Sequence, residues 1–512
     1  MFHDALVPFA ERWIITMRKD SILHYIRDYA QTQPDKYAVC ELRKSLTYRE
    51  YWEKIRKTAS VLASHDIEKG MHVVVRCTQT IDYLVLFSAL QYIGAIPIPV
   101  EKTLGADRIM EIAGAVDAAV VIADEEVEGI RAYKNKELMK AVPEADEAEL
   151  PLPAANDLSM ILFTTGTTGK SKGVVLTHLN DVAIAENVMY GTQMAPDNVE
   201  VIPMPLNHAF GMRRYQSDIV NGGTVCLMDG MAFIGTLWKL MEKYRVTSMA
   251  LSPASLGMIF QLSGDRIGEY KDQMHYIQIG SAPLMEADKQ RLIHLMPNLR
   301  LYNFYGSSEA GCSCILDFNS PDNKTGCIGR PTVNSVVQFV DENGNKVENV
   351  DEEHPALLAW GGPIVMKEYY KEPQLTAETM TDGCVMTKDM AYLDEEGRCI
   401  LVGRSDDIVN YGGSKIAPAE VEDCARDYDG IVDCAYSSRP DAITGELPVM
   451  LVVKNEGYDQ AAFEAFLAER LESYKMPREY YFTDSIPKTF KGSLLRKDIK
   501  KIINEQIQGG NQ

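Results

Sequence analysis

The chain has no hydrophobic run of membrane-spanning length and is short of basic residues. No apolar segment approaches the roughly 18 residues that a transmembrane helix needs, so we expect no membrane span. The 52 lysine and arginine residues are outnumbered by 73 aspartate and glutamate residues, which gives a formal net charge of −21. Because this excess repels phosphate backbones, it argues against nucleic-acid binding as the main activity. A nucleotide site needs only local positive charge and is not excluded.

The ten cysteines lack the spacing of a metal site. No pair of CxxC motifs occurs, and Cys312 and Cys314 are too close together and too isolated to predict bound zinc. The N-terminal segment mixes Asp4, Glu11 and Arg12 into its apolar residues, unlike a secretory signal. These features predict a cytoplasmic protein with reduced thiols.

The sequence also lacks internal repeats and low-complexity tracts, and its 512 residues are 46% hydrophobic. Short β-branched runs alternate with longer amphipathic stretches, a pattern typical of an α/β protein with largely parallel sheets. The runs predict strands at 73–75, 119–122, 225–227 and 276–279. The amphipathic stretches predict helices at 48–63, 81–93 and 233–243.

The pattern changes in the last third of the chain. From about residue 325 short strands and turns predict a small β-rich subdomain, with hairpin turns at 341–344 and 394–397. We therefore expect an N-terminal domain over 1–403 that includes this subdomain at 325–403. A small α+β C-terminal domain over 404–512 follows, with a polar hinge near 404–407. Its predicted helices are 418–428 and 460–472, and its predicted strands are 434–438, 449–453 and 480–483.

Residues 164–173 form the most informative segment. An apolar strand at 160–163 leads into ten residues that contain four threonines, three glycines and two lysines. Glycines allow close backbone approach, hydroxyls and amides donate hydrogen bonds, and lysines add charge, so the segment suits a polyphosphate. It is not a Walker A loop, because the leading glycine of that motif would fall at Thr164.

This segment resembles the phosphate-binding signature of AMP-forming acyl-CoA synthetases and their adenylating relatives. Further segments resemble family motifs in the family's order, and together they cover the chain from Leu46 to Arg496. These segments are 207–211, 280–283, 305–311, 387–389 with 403–404, and 415–422. The resemblance implies a large α/β domain, a mobile C-terminal lid domain, and a reaction of a small carboxylic acid with ATP, Mg²⁺ and CoA.

The resemblance also implies the roles of individual residues. The phosphates of ATP would be held by Thr164, Thr165, Gly166, Thr167, Thr168, Gly169 and Lys172, with Thr168 also catalytic. The rest of the nucleotide would be bound by Gly280, Ser281, Ala282, Pro283, Asn303, Tyr305, Gly306 and Ser308, and its ribose by Asp389 with Arg404. Glu309 would hold Mg²⁺ and assist catalysis, since a carboxylate suits a hard cation. Position 308 holds serine where the family more often has threonine.

Three further sets of residues follow from the resemblance. The acyl pocket would include His208, Phe210 and Arg213, and His208 would also help close the site before thioester formation. Asp406 occupies the hinge position. The pantetheine arm of CoA would approach Gly413 and Lys415. His178, which follows Leu176 and Thr177, is instead predicted to start a helix and to have a structural role.

The chain departs from the family pattern at two informative positions. Lys388 replaces a glycine beside Asp389, where its side chain either crowds the site or faces water. In the C-terminal motif Pro-Lys-Thr-x-x-Gly-Lys-x-x-Arg, the second lysine position holds Ser493. That lysine reaches the substrate carboxylate and α-phosphate during adenylation, so we hypothesise that Lys491 takes over its role.

Other interpretations stay open at this point. The thiol acceptor could be an acyl carrier protein instead of CoA, or the chain could be a degenerate nucleotide- or acyl-binding sensor. Amino-acid adenylation is disfavoured, because those enzymes keep an aspartate where this chain has Gly211. Arg213 or Arg214 could read a second anionic group on the acid, although such arginines are more often solvated or bound to a structural carboxylate.

Overall fold

The structure is a computed structural model that describes residues 18–124, 127–165, 171–280, 284–320, 323–324, 326–405, 407–412, 414–441, 443–488 and 494–509. Only the backbone is described at Thr164, Thr165, Ser171, Lys415 and Gly509. The chain divides into two compact units. The first contains residues up to 319 with 331–336 and 360–385, and the second contains 320–330, 337–359 and 386–512.

The first unit contains most of the helices, and several begin at a side-chain cap. The Thr47 hydroxyl accepts a hydrogen bond from the Glu50 amide, and the Glu50 carboxylate accepts one from the Thr47 amide, which forms a capping box for the helix that follows. Thr80 caps a second helix, which ends where Gly94 adopts a left-handed conformation. The α-helices are Ile22–Thr32, Tyr48–Ser64, Ile81–Ile93, Ala106–Ala115, Asn135–Ala141, His178–Gly191, Ala209–Asn221, Ile234–Tyr244, Pro253–Ser263, Glu286–Leu295 and Pro373–Thr379. Short 3-10 helices span Val142–Glu144 and Arg266–Tyr270.

Two largely parallel sheets form the framework of this unit. The strands of the larger one follow the spatial order Gly311–Asp317, Arg300–Ser307, Tyr276–Ile279, Ser248–Leu251, Val199–Ile202, Thr224–Leu227, Tyr37–Cys40 and Ser45–Thr47. Only the outermost pair at each end is antiparallel. The smaller sheet is parallel throughout, in the order Ile96–Val100, His72–Arg76, Val120–Ile122 and Arg131–Tyr133. The predicted α/β class is therefore confirmed.

A third, antiparallel sheet of the first unit carries the predicted phosphate loop. Its order is Glu368–Tyr369, Ser171–Thr177 and Leu158–Thr165. A short strand, Met380–Thr381, pairs with the first two residues of Cys384–Leu393. One large apolar core of the unit packs helix residues such as Trp238 and Leu240 against strand residues such as Met249 and Ile277. No helix in the described part of the chain is long and apolar enough to cross a membrane.

The second unit contains two sheets. One follows the order Val336–Val340, Ala356–Gly361, Cys384–Leu393, Cys399–Arg404 and Cys327–Pro331. The other follows the order Ser414–Ile416, Val409–Tyr411, Gly445–Lys454 and Ile431–Asp441, with Glu479–Phe482 added in parallel to Gly445–Lys454. The helices of this unit are Pro418–Arg426, Gln460–Ala468 and Arg496–Gly509.

The predicted elements of both units are confirmed. The helix at Ile81–Ile93 and the strand at Tyr276–Ile279 have the predicted bounds, and the others are displaced by a few residues at their ends. The predicted turn at 394–397 joins the paired strands Cys384–Leu393 and Cys399–Arg404. The domain boundary near 404–407 and the subdomain at 325–403 stay predictions. None of the ten cysteines, all of which lie in the described residues, forms a disulfide bond, and all except Cys424 are buried.

Candidate active site

The predicted phosphate loop joins the two long strands of the antiparallel sheet. Thr164 pairs with Lys172, and Thr165 pairs with Ser171. Gly166, Thr167, Thr168 and Gly169 lie outside the described residues. A β-carbon at Gly173 would meet Ile161 Cγ2 at 3.0 Å, so a larger residue here would require the Ile161 side chain to shift. Lys172 is half-buried, and its ammonium lies 5.4 Å from the ring centroid of Tyr369.

The helix that follows this hairpin begins as predicted. Thr177 and Asn180 form a reciprocal capping pair, and the helix starts at His178. His178 is buried, and burial lowers the pKa of its imidazole to about 4, which favours the structural role predicted for it. Asp181, one turn further, is fully enclosed, and burial raises the pKa of its carboxyl to about 7. The Arg213 guanidinium opposes that increase.

Glu309 lies just after the strand Arg300–Ser307, in a tight turn. A β-carbon at Gly306 would meet the Gly311 carbonyl oxygen at 1.9 Å, so the turn requires glycine there. The Glu309 backbone is fixed by its carbonyl, which accepts a hydrogen bond of 2.7 Å from the Met366 amide. Its half-buried side chain accepts, at Oε1, a hydrogen bond of 2.8 Å from the Tyr369 hydroxyl. Lys172 and Glu309 therefore both contact one tyrosine.

Residues predicted to bind the adenosine lie at the ends of neighbouring parallel strands. Asn303 pairs with Ile279 across the two strands, and its Nδ2 donates a hydrogen bond of 3.0 Å to the Ile279 carbonyl. Gly280 follows at once, and the Phe210 ring lies 3.2 Å from the position that a Gly280 β-carbon would take. The carboxyl ends of parallel strands are the usual place for a ligand in such folds. Ser281, Ala282 and Pro283 lie outside the described residues.

Tyr305, two residues beyond Asn303 on the same strand, lies beside a buried tryptophan. Its ring centroid is 6.1 Å from that of Trp360, which is fully buried, and the two ring planes are tilted by 46°. Trp360 is a contact that the sequence did not single out. Aromatic pairs in this range of separation are attractive, so Trp360 supports the ring predicted to lie on adenine.

The predicted acyl-pocket segment leads into the helix Ala209–Asn221. His208 precedes its first residue and has an exposed side chain. At Gly211, a β-carbon would meet the carbonyl oxygens of Pro205 at 2.4 Å and Met204 at 2.6 Å. No side chain fits there without movement of the backbone. The local geometry of this chain therefore requires glycine at this position.

The two arginines that follow have different partners. Arg213 is 7% exposed, and its Nη2 donates hydrogen bonds to the carbonyl oxygens of Ser307 at 2.9 Å and Ser308 at 3.1 Å. It therefore supports the turn that carries Glu309, while its place in the acyl pocket stays a prediction. Arg214 is 1% exposed and forms a two-pronged ion pair with the fully buried Glu200. Arg214 is thus bound to a structural carboxylate.

In the second unit, the predicted ribose-binding residues are brought together by strand pairing. Asp389 and Arg404 are direct partners on antiparallel strands. Thr387 Oγ1 accepts a hydrogen bond of 3.1 Å from the Asp389 amide and donates one of 2.7 Å to the Leu358 carbonyl. Lys388, the residue that replaces the family's glycine, has an exposed side chain.

The structure describes only part of the residues predicted for the hinge, for CoA binding and for the role of the missing family lysine. Asp406, Gly413 and Lys491 lie outside the described residues, and Lys415 is described only as a backbone partner of Asn410.

The residues that flank the segment 489–493 are firmly held. Lys488 pairs with Leu494 in a β-bridge, and its ammonium lies 2.6 Å from an Asp433 carboxylate oxygen. Arg496 forms an ion pair with the buried Glu422 and donates a hydrogen bond of 3.0 Å to the Tyr436 carbonyl. Both ends of the segment that carries Lys491 are therefore anchored within the second unit.

Comparison with known proteins agrees with this geometry. The family model described as AMP-binding enzyme matches residues 26–370, and the one described as AMP-binding enzyme C-terminal domain matches residues 420–493. The 2-succinylbenzoate–CoA ligase of Bacillus cytotoxicus is 24% identical over 494 residues, which cover 95% of this chain and 100% of that enzyme. The feruloyl-CoA synthase of an Amycolatopsis species is 28% identical over 482 residues, 92% of this chain and 97% of that enzyme.

A solved structure, that of ATP-bound MatB from Rhodopseudomonas palustris, has the same fold. It superposes with a TM-score of 0.82 at 23% sequence identity and covers 96% of this chain and 100% of MatB. The motifs, the fold and the two family models agree along nearly the whole sequence. The chain therefore belongs to the AMP-binding enzyme family.

Proposed function

We propose that the chain is an ATP-dependent acid–CoA ligase of the AMP-forming acyl-CoA synthetase type. A carboxylate oxygen of the acid attacks the α-phosphorus of ATP, which gives an acyl-adenylate and pyrophosphate. The CoA thiol then attacks the acyl carbon, and AMP leaves as the thioester forms. The observation that carries this proposal is the contact series from Lys172 through Tyr369 to Glu309. The contact between Asn303 and Ile279 at the ends of neighbouring strands supports it.

In the first half-reaction, negative charge spreads over the phosphate oxygens, and fixed positive charge lowers that barrier. Lys172 supplies such a charge, and the threonines of the phosphate loop add hydroxyl donors. Glu309 would hold Mg²⁺, which when bound neutralises charge on the phosphates. The fit is good, because within the described residues Glu309 Oε2 accepts no hydrogen bond and faces no cation within ion-pair distance.

The ligands of Mg²⁺ would come largely from the substrate. No cluster of three or more histidine, cysteine, aspartate or glutamate side chains able to hold a metal occurs in the described part of the chain. One carboxylate with phosphate oxygens and waters is the usual environment of Mg²⁺ in nucleotide sites. Glu309 is the single protein ligand that we propose.

The rest of the nucleotide is assigned to the residues that the family resemblance implies. Tyr305 stacks on adenine, and Asn303 lines its edge with Gly280 to Pro283. Gly306 and Ser308 belong to the same turn. Asp389 accepts hydrogen bonds from the ribose hydroxyls, with Arg404 beside it.

The acyl group is assigned to the segment before and within the helix Ala209–Asn221. Phe210 supplies an apolar wall where its ring lies against Gly280. His208 lines the same pocket and helps close it for thioester formation. Arg213 borders the pocket through its contact with the turn at Ser307 and Ser308.

CoA is the acceptor that we propose, and the names of the relatives as CoA ligases support it. Gly413 and Lys415 would bind the pantetheine arm after the C-terminal domain, 404–512, rotates about Asp406. Lys491 would serve the first half-reaction in place of the family lysine at the position of Ser493.

A single assay separates the acceptors and the roles. Purified protein is given ATP, Mg²⁺ and a panel of carboxylic acids, with either CoA or a phosphopantetheinylated carrier protein. We expect an acyl-CoA product with equimolar AMP, and no acylated carrier. Transfer to the carrier protein but not to CoA would contradict the proposed acceptor, and absence of AMP with every acid would contradict the ligase activity.

A further inference from the structure

Tyr369, which no motif singled out, lies on the short strand that closes the antiparallel sheet. It pairs with Val174 on the strand that follows the phosphate loop. Residues two apart on a strand share a face, so Lys172 is its diagonal neighbour on that face. The amides of Lys367 and Tyr370 donate to the carbonyls of Val175 and Gly173, at 2.9 and 2.8 Å, and fix the register on either side. The position of Tyr369 is therefore set by the backbone.

The Tyr369 side chain contacts both charged residues of the proposed phosphate site. Its hydroxyl donates a hydrogen bond of 2.8 Å to Glu309 Oε1, and the Lys172 ammonium lies 5.4 Å from its ring centroid. The side chain is 5% exposed, so water does not compete freely for these contacts. Tyr369 therefore joins the two assigned groups through a direct contact with each.

Those contacts keep opposite charges from neutralising each other. Lys172 and Glu309 have opposite charge, yet no ion pair joins them in the described part of the chain. The ring presents its electron-rich face to the ammonium, and the hydroxyl donates to one carboxylate oxygen, while the other accepts no hydrogen bond from the described residues. A lysine and a carboxylate that do not neutralise each other suit a metal-bound polyphosphate, because the ammonium can bind phosphate oxygens and the carboxylate can bind the cation.

We propose that Tyr369 is a positioning residue that keeps Lys172 and Glu309 separately oriented for the metal-bound polyphosphate of ATP. This inference rests on the proposed function. It assigns Tyr369 to the β- and γ-phosphates and the metal, and not to the adenosine. Loss of its hydroxyl should therefore weaken the binding of Mg²⁺–ATP and leave the binding of AMP unchanged.

The test measures binding without turnover. The full chain is titrated with Mg²⁺–ATP, and separately with AMP, in the absence of any acid. For Tyr369→Phe we expect a roughly tenfold or larger rise in the Kd of Mg²⁺–ATP, the effect of losing a hydrogen bond to a charged group. The Mg²⁺ concentration for half-maximal ATP binding should rise as well, while the Kd of AMP stays within twofold.

The neighbouring tyrosine provides a matched control. The Tyr370 hydroxyl donates a hydrogen bond of 2.9 Å to Asp117, away from Glu309 and Lys172, so Tyr370→Phe should bind both ligands like the wild type. Glu309→Gln provides a second check that does not depend on the stability of one variant. If Tyr369 acts through Glu309, then adding Tyr369→Phe to Glu309→Gln should raise the Kd of Mg²⁺–ATP by much less than tenfold.

The outcomes separate the inference from the proposed function. An unchanged Kd for Mg²⁺–ATP in Tyr369→Phe, or an equal loss of ATP and AMP binding, would overturn the positioning role. A fully additive effect in the Glu309→Gln background would overturn it too. If the wild type bound neither ATP nor AMP, the proposed function itself would be contradicted.

Discussion

Replacing Arg214 with methionine should destabilise the first unit without changing which acids react. Arg214 Nε donates a hydrogen bond of 2.6 Å to Glu200 Oε1, and its Nη1 donates one of 2.8 Å to Gln278. In Arg214→Met, the fully buried Glu200 keeps two hydroxyl donors among the described residues, Tyr276 at 2.8 Å and Ser248 at 3.2 Å. A buried charge left without its partner costs about 3–5 kcal/mol.

That cost can be expressed as a change in melting temperature. The first unit has about 350 residues, and unfolding entropy scales with chain length, so 1 kcal/mol corresponds to somewhat more than 1 °C. We expect Arg214→Met to melt about 4–7 °C below the wild type in a thermal scan followed by tryptophan fluorescence. Replacing Glu200 with glutamine in the same chain removes the stranded charge and should restore more than half of the loss.

Arg213→Met is the matched control, because Arg213 donates to backbone carbonyls and no ion pair joins it to a carboxylate in the described chain. It should cost about 1–3 kcal/mol and affect adenylation through the turn of Glu309. Equal melting temperatures for Arg213→Met and Arg214→Met would contradict the structural role of Arg214. So would a changed order of acid preference in Arg214→Met below its melting temperature.

Three further outcomes are expected. The folded-state pKa of Asp181 is raised to about 7, so the stability of the wild type falls as pH rises from about 4 through 7. In urea unfolding, Asp181→Asn should flatten this fall and be more stable than the wild type by about 3–5 kcal/mol at pH 8. Parallel curves of stability against pH for the two proteins would refute the raised pKa. Gly211→Ala should lower the free energy of unfolding by at least about 2 kcal/mol in the same assay, because the new β-carbon meets the Pro205 carbonyl oxygen at 2.4 Å. Gly257→Ala, at a helix position where a β-carbon meets no neighbouring group within 4 Å, should raise it by about 0.5–1 kcal/mol. Equal effects of the two substitutions would contradict the close packing at Gly211. Lys491→Ala should slow pyrophosphate release by roughly 100-fold or more, which is the usual effect of losing one positioned charge, and should still convert supplied acyl-adenylate to acyl-CoA. Wild-type rates in both steps would show that Lys491 has no role in the reaction.

The sequence predicted best what is determined locally. The helix Ile81–Ile93 has the predicted bounds because Thr80 caps it and Gly94 ends it, both over a short stretch of chain. Strand Tyr276–Ile279 was predicted from its apolar run, since strands of a parallel sheet are buried on both faces. The order of strands in the sheets was not predicted, because pairing depends on residues far apart in the chain.

The same limit explains what was missed at the site. Tyr369 contacts Glu309, which is 60 residues away in the chain, and Lys172, which is further still. Nothing in the local pattern around Tyr369 indicates either contact. The alternatives left open for Arg214 were decided by Glu200, which lies on a different element from the arginine. In both cases the tertiary fold, and not the motif, selects the partner.

We propose above all that this chain makes an acyl-adenylate in a site where Glu309 holds the metal. The most direct measurement is single-turnover pyrophosphate release from ATP, with a reactive acid and without CoA, for the wild type and for Glu309→Gln. We expect a burst of pyrophosphate equimolar with enzyme-bound acyl-adenylate in the wild type. Loss of the charge in Glu309→Gln should remove roughly 2–4 kcal/mol of transition-state stabilisation, and the burst should be slower for that reason. A burst of wild-type rate in Glu309→Gln, or ADP in place of AMP from the wild type, would contradict the account.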